Sequence, residues 1–400
     1  MVLFGFKKAT WPCPYCYTLV DSSKPWYRCS GIPAPGNPQC QPKEDSRRVT
    51  LFNDANGVLK SFEPNDEKGS NGRPLCPDCH GLAVTPVCPN CHSILPANFI
   101  SKSPLFGMIG AISSGKTVML TVMSKEIQTT VAKRFSAVIE PTGNSPLLKT
   151  LEKKYKEFDS GSAGLPGQTA RDDTATRDPA VFSLQGNVKN FLGIERTVAS
   201  LFSFLDTAGE NLGNADRARD VHYLAVTSGV ILLLNPFAFD ANRAKGIQRG
   251  INPKDLETAP RTVLRNITEV LREHERLKPK KKIKKPVAVV LGMIDAFFDE
   301  IGPDSPIRRP SPDKPYFDEP DTEEVHEHVA GLIVKWGGED ILRHLDLNYA
   351  TYRLFAASAL GSEPDYHTKT TSSRGIQPHR VAEPLLWMLA RYGLITVKKV

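Results

Sequence analysis

This 400-residue chain has no cysteine beyond residue 91, and no apolar run approaches the roughly 20 residues that a bilayer-spanning helix needs. Residues 1–10 lack the layout of a secretory leader, so the expected location is the cytoplasm. Net charge is also scarce. A balance of +7 is mild for this length, and much of it sits in one lysine run, so charge alone gives no case for nucleic acid. What is present is ordinary: 40% hydrophobic and 24% charged residues describe a soluble globular chain, long enough for two or more domains.

All eight cysteines lie in the first quarter, as Cys13-Pro-Tyr-Cys16, Cys29, Cys40, Cys76-Pro-Asp-Cys79 and Cys88-Pro-Asn-Cys91. In a reducing compartment this spacing predicts thiolate sites for Zn²⁺ rather than disulfides. Cys76, Cys79, Cys88 and Cys91 form the strongest set, with Cys13, Cys16, Cys29 and Cys40 as a second; this pairing is the expectation, and spacing leaves open an interleaved one, in which the first knuckle joins one of the later ones. His80 and His92 follow knuckles but are expected to face solvent, because eight cysteines already close two sites. Closed four-thiolate sites leave no open position, so the zinc is expected to be structural. Trp11, Tyr15, Tyr17, Trp26 and Tyr27 are expected to be the core of so small a module. A polar insertion follows at 41–73, with a short strand expected at 49–52. The predicted organisation is a zinc-ribbon module over 1–95, a linker over 96–104 and a nucleotide domain over 105–400.

The chain is organised around Gly110-Ala111-Ile112-Ser113-Ser114-Gly115-Lys116-Thr117, a full G-x-x-x-x-G-K-[ST] pattern. A short buried strand is expected just ahead of it and an apolar helix from Thr117 onward. That context lets successive backbone N–H groups converge on phosphates, with Lys116 neutralising charge and the Thr117 hydroxyl ligating Mg²⁺. The strand at 200–205 runs into Asp206-Thr207-Ala208-Gly209-Glu210. There Asp206 would hold Mg²⁺ through water and the Gly209 amide would sense the γ-phosphate. Further buried strands are expected at 229–234, 287–291 and 352–357, with helices at 145–158, 212–226, 259–277, 323–336 and 381–392. The segments 181–184 and 198–204, separated by a turn near Gly186-Asn187, read as an antiparallel pair. The fold class is therefore α/β, a mostly parallel sheet with helices on both faces.

The order of GAISSGKT, DTAGE, Gly292-Met293-Ile294-Asp295 and Ser358-Ala359-Leu360 resembles the TRAFAC-class P-loop GTPases, which include the Ras-like and Arf-like proteins. With the zinc module added, the chain is most similar to the bacterial double-GTPase families of conflict and defence gene clusters. The resemblance implies a GTP/GDP-binding switch in which Asp295 grips the guanine edge and the Ser358-Ala359-Leu360 loop meets the guanine oxygen through a backbone amide. Gly292-Met293 stands where Asn/Thr-Lys is usual, and Leu360 stands for Lys. The resemblance also implies a switch I threonine between Thr117 and the strand at Val181: Thr169 first, then Thr174 or Thr176. Glu210 occupies the water-orienting position of the Ras-like glutamine. A carboxylate there adds negative charge beside the γ-phosphate, so slow intrinsic turnover is expected. Arg171, Arg177, Arg217 and Arg219 could supply a cation in cis, or a protein partner could, either a second GTPase or an activating protein.

The lysine run at 278–285 is expected to be a solvated helix-to-strand connection rather than an anion-docking patch. Asn235-Pro236 is expected to be a strand-ending turn. Two alternatives stand beside the GTPase: an ATP-preferring NTPase, or a zinc-ribbon nucleic-acid-binding protein with a non-catalytic nucleotide domain.

Overall fold

The computed structural model describes residues 10–398 apart from 22, 66–67, 70–71, 97–98, 100–102, 112, 143–145, 161–179, 190–192, 207–223, 369 and 373–374; at 146, 205 and 206 it describes the backbone alone. The chain divides into two compact units, Met1–Pro104 with Ala199–Leu201, and Leu105–Val198 with Phe202–Val400.

In the first unit, strands β1 (Thr10–Pro12) and β2 (Leu19–Asp21) pair antiparallel around the first knuckle. Strand β3 (Trp26–Arg28) is followed by helix α1 (Ser46–Phe52), β4 (Ser61–Phe62) and β5 (Thr85–Val87). The strand expected at 49–52 is thus helical. The Asp45 side chain accepts from the backbone N–H groups of Arg47 and Arg48, and Asn53 closes the other end in the left-handed region. With both ends capped locally, the turn overrides the β preference of Val49 and Phe52. Strand β3 lies between β4 and β5, antiparallel to both, with Trp26 opposite Val87 and Arg28 opposite Thr85.

The second unit begins with β6 (Leu105–Gly110), then α2 (Lys116–Glu126), a π-helical stretch (Ile127–Val131) and α3 (Ala132–Arg134). Next come β7 (Val138–Pro141), α4 (Pro146–Asp159), β8 (Ala180–Lys189), β9 (Glu195–Asp206) and β10 (Gly229–Leu234). Helices α5 (Arg243–Gln248) and α6 (Pro260–His274) lead to β11 (Val287–Leu291). The chain then forms β12 (Phe317–Asp318), α7 (Glu319–Lys335), α8 (Glu339–Asn348), β13 (Tyr352–Ala356), α9 (Glu383–Arg391) and β14 (Val397–Lys398).

Seven strands form one sheet in the order β13-β11-β10-β6-β9-β8-β7. From β13 to β9 the strands run parallel, and β7 closes one edge antiparallel to β8. The fold is therefore the expected α/β sheet. The turn expected at Gly186-Asn187 is absent, because both residues lie inside β8. Alternation along the central strands builds two cores. Phe106, Met108, Ile231, Leu233 and Val290 face Leu120, Leu151 and Trp387 of α2, α4 and α9, while Val230, Leu232, Val287 and Val289 face Leu264, Val325 and Leu345 of α6, α7 and α8. Strands buried on both faces need runs such as Gly229-Val-Ile-Leu-Leu-Leu234, apolar at every position. No helix among the described residues is long and apolar enough to cross a membrane.

Candidate functional site

The three knuckles share one backbone design. The residue after the second cysteine takes a positive φ (63° at Tyr17, 49° at His80, 57° at His92). Its N–H returns to the carbonyl of the first cysteine, from Tyr17 to Cys13 at 2.9 Å, His80 to Cys76 at 2.9 Å and His92 to Cys88 at 3.0 Å. The two histidines therefore stand at turn positions rather than ligand positions. His92 is not solvent-facing as expected: it is half-buried, its Nδ1 lies 2.8 Å from Asp45 Oδ2, and it stacks on Trp26.

The eight sulfurs gather as Cys13, Cys16, Cys88, Cys91 and as Cys29, Cys40, Cys76, Cys79. This interleaved arrangement corrects the expectation that Cys76, Cys79, Cys88 and Cys91 share one site. The cause is the antiparallel pairing of β3 with β5. Cys29, just after β3, is carried toward the start of β5 and the knuckle before it, while Cys88, just after β5, is carried toward the start of β3 and the knuckle ahead of that. Sulfurs about 2.3 Å from a tetrahedral ion stand about 3.8 Å apart. Here Cys13–Cys91 is 3.8 Å, Cys16–Cys88 3.7 Å, Cys29–Cys79 3.6 Å and Cys40–Cys76 3.9 Å, with all eight thiols free. The donor set fits Zn²⁺. Asn90 supports the first cluster through its Nδ2, which donates to Cys16 Sγ at 3.5 Å and to Thr18 Oγ1 at 3.0 Å.

In the second unit, five strands run parallel, so the loops after β6, β9, β10, β11 and β13 leave one edge of the sheet. Strand order turns about β6, which makes its carboxyl end the place where an open α/β sheet takes a ligand. Gly110 is required there: a Cβ would lie 2.3 Å from Ser114 Oγ and 2.9 Å from the Leu233 carbonyl. Ser113 and Gly115 take left-handed φ values of 54° and 78°, and Gly115 caps α2 with no side-chain bond to the helix N–H groups. The N–H groups of a helix's first turn point toward its N-terminal end, where an anion can accept from them. Lys116 and Thr117 open the helix and are half-buried.

Two residues that sequence reasoning passed over hold this loop. Asn235, at the end of β10, donates from Nδ2 to the Ser113 carbonyl at 3.1 Å, and Asp255 accepts from the Ser113 hydroxyl at 2.8 Å. Asn235 was visible only as a turn residue. Asp255 lies 142 positions from Ser113 and gave no signal.

After β11, Gly292 stands where a Cβ would press on Leu233 Cδ1 at 3.2 Å and the Ser114 carbonyl at 3.3 Å. Met293 takes φ 49°, and its Cγ lies 4.0 Å from the position a Gly115 Cβ would hold. Asp295 follows within a 3₁₀ turn, Ile294–Phe297. Burial pushes its carboxyl above the usual range against a hydrogen bond from Ser358, and its Oδ1 is buried with no partner among the described groups. Ser358 is itself buried and accepts from the Gly361 N–H at 2.8 Å; Ala359 and Leu360 beside it are half-buried. Arg249 steadies this turn by donating to the Ala296 carbonyl at 2.9 Å and to Glu363 at 2.6 Å. An open cavity of about 410 Å³ beside it is lined by Arg249, Glu363, Pro364, Asp365, Tyr366 and His367.

The structure thus brings Gly110, Ser113, Ser114, Gly115, Lys116, Thr117, Asp295, Ser358, Ala359 and Leu360 to one sheet edge. The backbone of Asp206 ends β9 there, opposite Met108. Thr169, Thr174, Thr176, Gly209, Glu210 and the four candidate arginines lie outside the described residues.

No family model matches the chain. A Mycolicibacterium smegmatis protein described as "Putative ESX-1 scaffolding and assembly protein SaeC" is 26% identical over 313 residues, 72% of this chain and 74% of that protein. Among solved structures, the chain is similar to the bacterial selenocysteine-specific elongation factor EF-Sec at 13% identity and TM-score 0.21, over 64% of this chain but about a quarter (26%) of that one. It is similar to the Arl6 BBS3 small GTPase of Trypanosoma brucei at 12% identity and TM-score 0.28, over 73% and 98% of the two chains. The S. cerevisiae Ski7 GTPase-like domain gives 11% identity and TM-score 0.33, over 74% and 51%. With likenesses this slight, it is the chain's own strand order and loop geometry that define the site.

Proposed function

We propose that the chain is a GTP-binding and GTP-hydrolysing switch. Phosphates would lie on the N–H groups from Ser113 to Thr117, with Lys116 neutralising their charge. Thr117 and Asp206 would hold Mg²⁺, and the two cysteine clusters would hold structural zinc. The observation that carries the base assignment is the buried, unpartnered Oδ1 of Asp295 at the edge shared with the phosphate loop. A buried carboxylate oxygen without a donor is costly, and a guanine edge with two adjacent N–H donors relieves that cost. An adenine presents one amino group and a ring acceptor to the same carboxylate, so it is the poorer fit.

Thr169 and Glu210 are assigned to switch I and to the attacking water by resemblance, as is the narrower likeness to bacterial double-GTPase families. The relative described as a scaffolding and assembly protein supports a switch that acts through a protein partner. Calorimetric titration with GTP, GDP and a non-hydrolysable ATP analogue in Mg²⁺ tests the proposal. Guanine nucleotides should bind, Lys116→Ala should abolish binding, and Asp295→Ala should weaken guanine alone. Preference for the ATP analogue would replace this proposal with the ATP-preferring alternative.

A further inference from the structure

The densest charge of the chain is built rather than loose. Residues 273–285 hold seven lysines and arginines against Glu273 and Glu275, a local balance of +5 (7 − 2). Arg272, in the last turn of α6, points its guanidinium into this segment and donates to three of its carbonyls: Lys278 at 3.0 Å, Pro279 at 2.9 Å and Lys281 at 2.9 Å. Ile283 is fully buried and plugs the far side. Its N–H donates to the Asn348 carbonyl at 2.7 Å, and its own carbonyl accepts from Ala350 at 2.9 Å. Lys285 turns inward and donates to the carbonyls of Leu224 and Ala225 at 2.7 and 3.0 Å. The loop is thus tied at three points. Lys278, Lys280, Lys281, Lys282 and Lys284 all remain exposed, and no ion pair among the described residues includes any of the five.

A connection that needed only solvation would not need a guanidinium to shape it. We propose that this lysine hoop is a docking surface for anionic lipid headgroups. Shaping the backbone in advance removes part of the ordering cost of gathering five like charges, so the hoop is ready for anions before they arrive. Three features favour headgroups over a nucleic acid. The charge is a compact cluster rather than the long stripe a duplex needs to neutralise successive phosphates, and mobile lipids can collect around such a cluster. The five side chains are point charges, with no exposed aromatic among them to stack on bases. Leu347, one residue before the Asn348 that ties the hoop, is 67% exposed and offers an apolar contact at the headgroup boundary. The hoop feeds the amino end of β11, whereas the candidate nucleotide loops leave the carboxyl ends of the same parallel strands, so docking leaves those loops uncovered.

The test is co-sedimentation of the zinc-replete full chain with phosphatidylcholine vesicles, with and without phosphatidylserine, with a DNA duplex as competitor. Wild type should bind the phosphatidylserine vesicles alone and less as salt rises. Each lysine near such a surface is worth about fivefold in association, so Lys280→Glu, Lys281→Glu and Lys282→Glu together should weaken binding at least about 100-fold. Lys149→Glu, Lys153→Glu and Lys156→Glu on α4, an equal charge change on another exposed face, should leave it near wild type. Equal loss in the two triple variants would reduce the effect to net charge and overturn the proposal. So would absence of binding to phosphatidylserine vesicles, or displacement by the duplex at equal anion concentration. Nucleotide titration of the hoop variant should be unchanged, which separates this outcome from the fate of the GTPase proposal.

Discussion

Replacing Cys13 and Cys88 together with serine removes two ligands from one cluster and none from the other, so bound zinc should fall from two ions per chain to one. Replacing Cys76 and Cys88 removes one ligand from each cluster, and zinc should fall to none. A sequential pairing of knuckles reverses both numbers. The energetic stake follows from the chain lengths that the clusters close. Cys16 and Cys88 are 72 positions apart, and Cys40 and Cys76 are 36 apart. The chain-entropy relation for a cross-link then gives about 4.4 and about 3.8 kcal/mol of restriction on the unfolded chain, against about 2.6 kcal/mol for a nine-residue closure such as Cys79 to Cys88. Losing the longer closure should lower the melting temperature of the zinc unit by on the order of 20 °C, at the usual shift per kcal/mol for a domain of this size. The assay is metal content by mass spectrometry on the full-length variants, with thermal unfolding by circular dichroism alongside. One ion retained by the Cys76/Cys88 variant and none by the Cys13/Cys88 variant would refute the interleaved geometry.

Asn235→Ala removes the donor that holds the Ser113 carbonyl, and nucleotide affinity should fall roughly fivefold, from about 1 kcal/mol for one hydrogen bond; an unchanged Kd would mean the phosphate loop keeps its shape unaided. Asp295 has a carboxyl raised by burial, so its ionisation opposes folding as pH rises through that raised value, and N–H donors of a bound base favour the ionised form. Guanine affinity should therefore decline as pH is lowered through that range, and a flat profile in wild type would remove Asp295 from the base site. Burial lowers Lys285 to about 8, so the folded chain binds fewer protons than the unfolded chain between that value and the ordinary lysine range, and stability should rise with pH across the window. Lys285→Met should flatten this rise in denaturant titrations; an identical slope in both proteins would assign the effect elsewhere.

The sheet was legible because its central strands are apolar at every position, a pattern that fits little besides a strand covered on both faces, and the phosphate loop because its glycines answer to backbone geometry alone. The turn after β11 was legible as far as the position of Asp295, since its place in the order of motifs located it. What sequence could not supply was contact at long range. The Asp255 bond to Ser113 joins residues of no local pattern, and the pairing of eight similar cysteines depends on which way β3 and β5 run. Local capping decided α1, where Asp45 outweighed the β-branched residues after it. How the lysine run is held was out of reach for a related reason: Arg272, whose guanidinium takes three of its carbonyls, belongs to the preceding helix.

The order of the sheet has a bearing on synthesis. Strand β6 is central, yet its partners on either side are β9 and β10, and the nearer of them pairs from Ser203, 98 positions after Leu105 (203 − 105). At 5–20 residues per second, the ribosome leaves the six buried residues of β6 without a neighbour for roughly 5–20 s. Throughout that interval the phosphate loop exists only as sequence. A nascent chain that stalls before β9 therefore presents an unpaired apolar strand to whatever chaperone or like strand is near, and a nucleotide bound as proposed could not help until the last of the candidate loops, after β13, has been made.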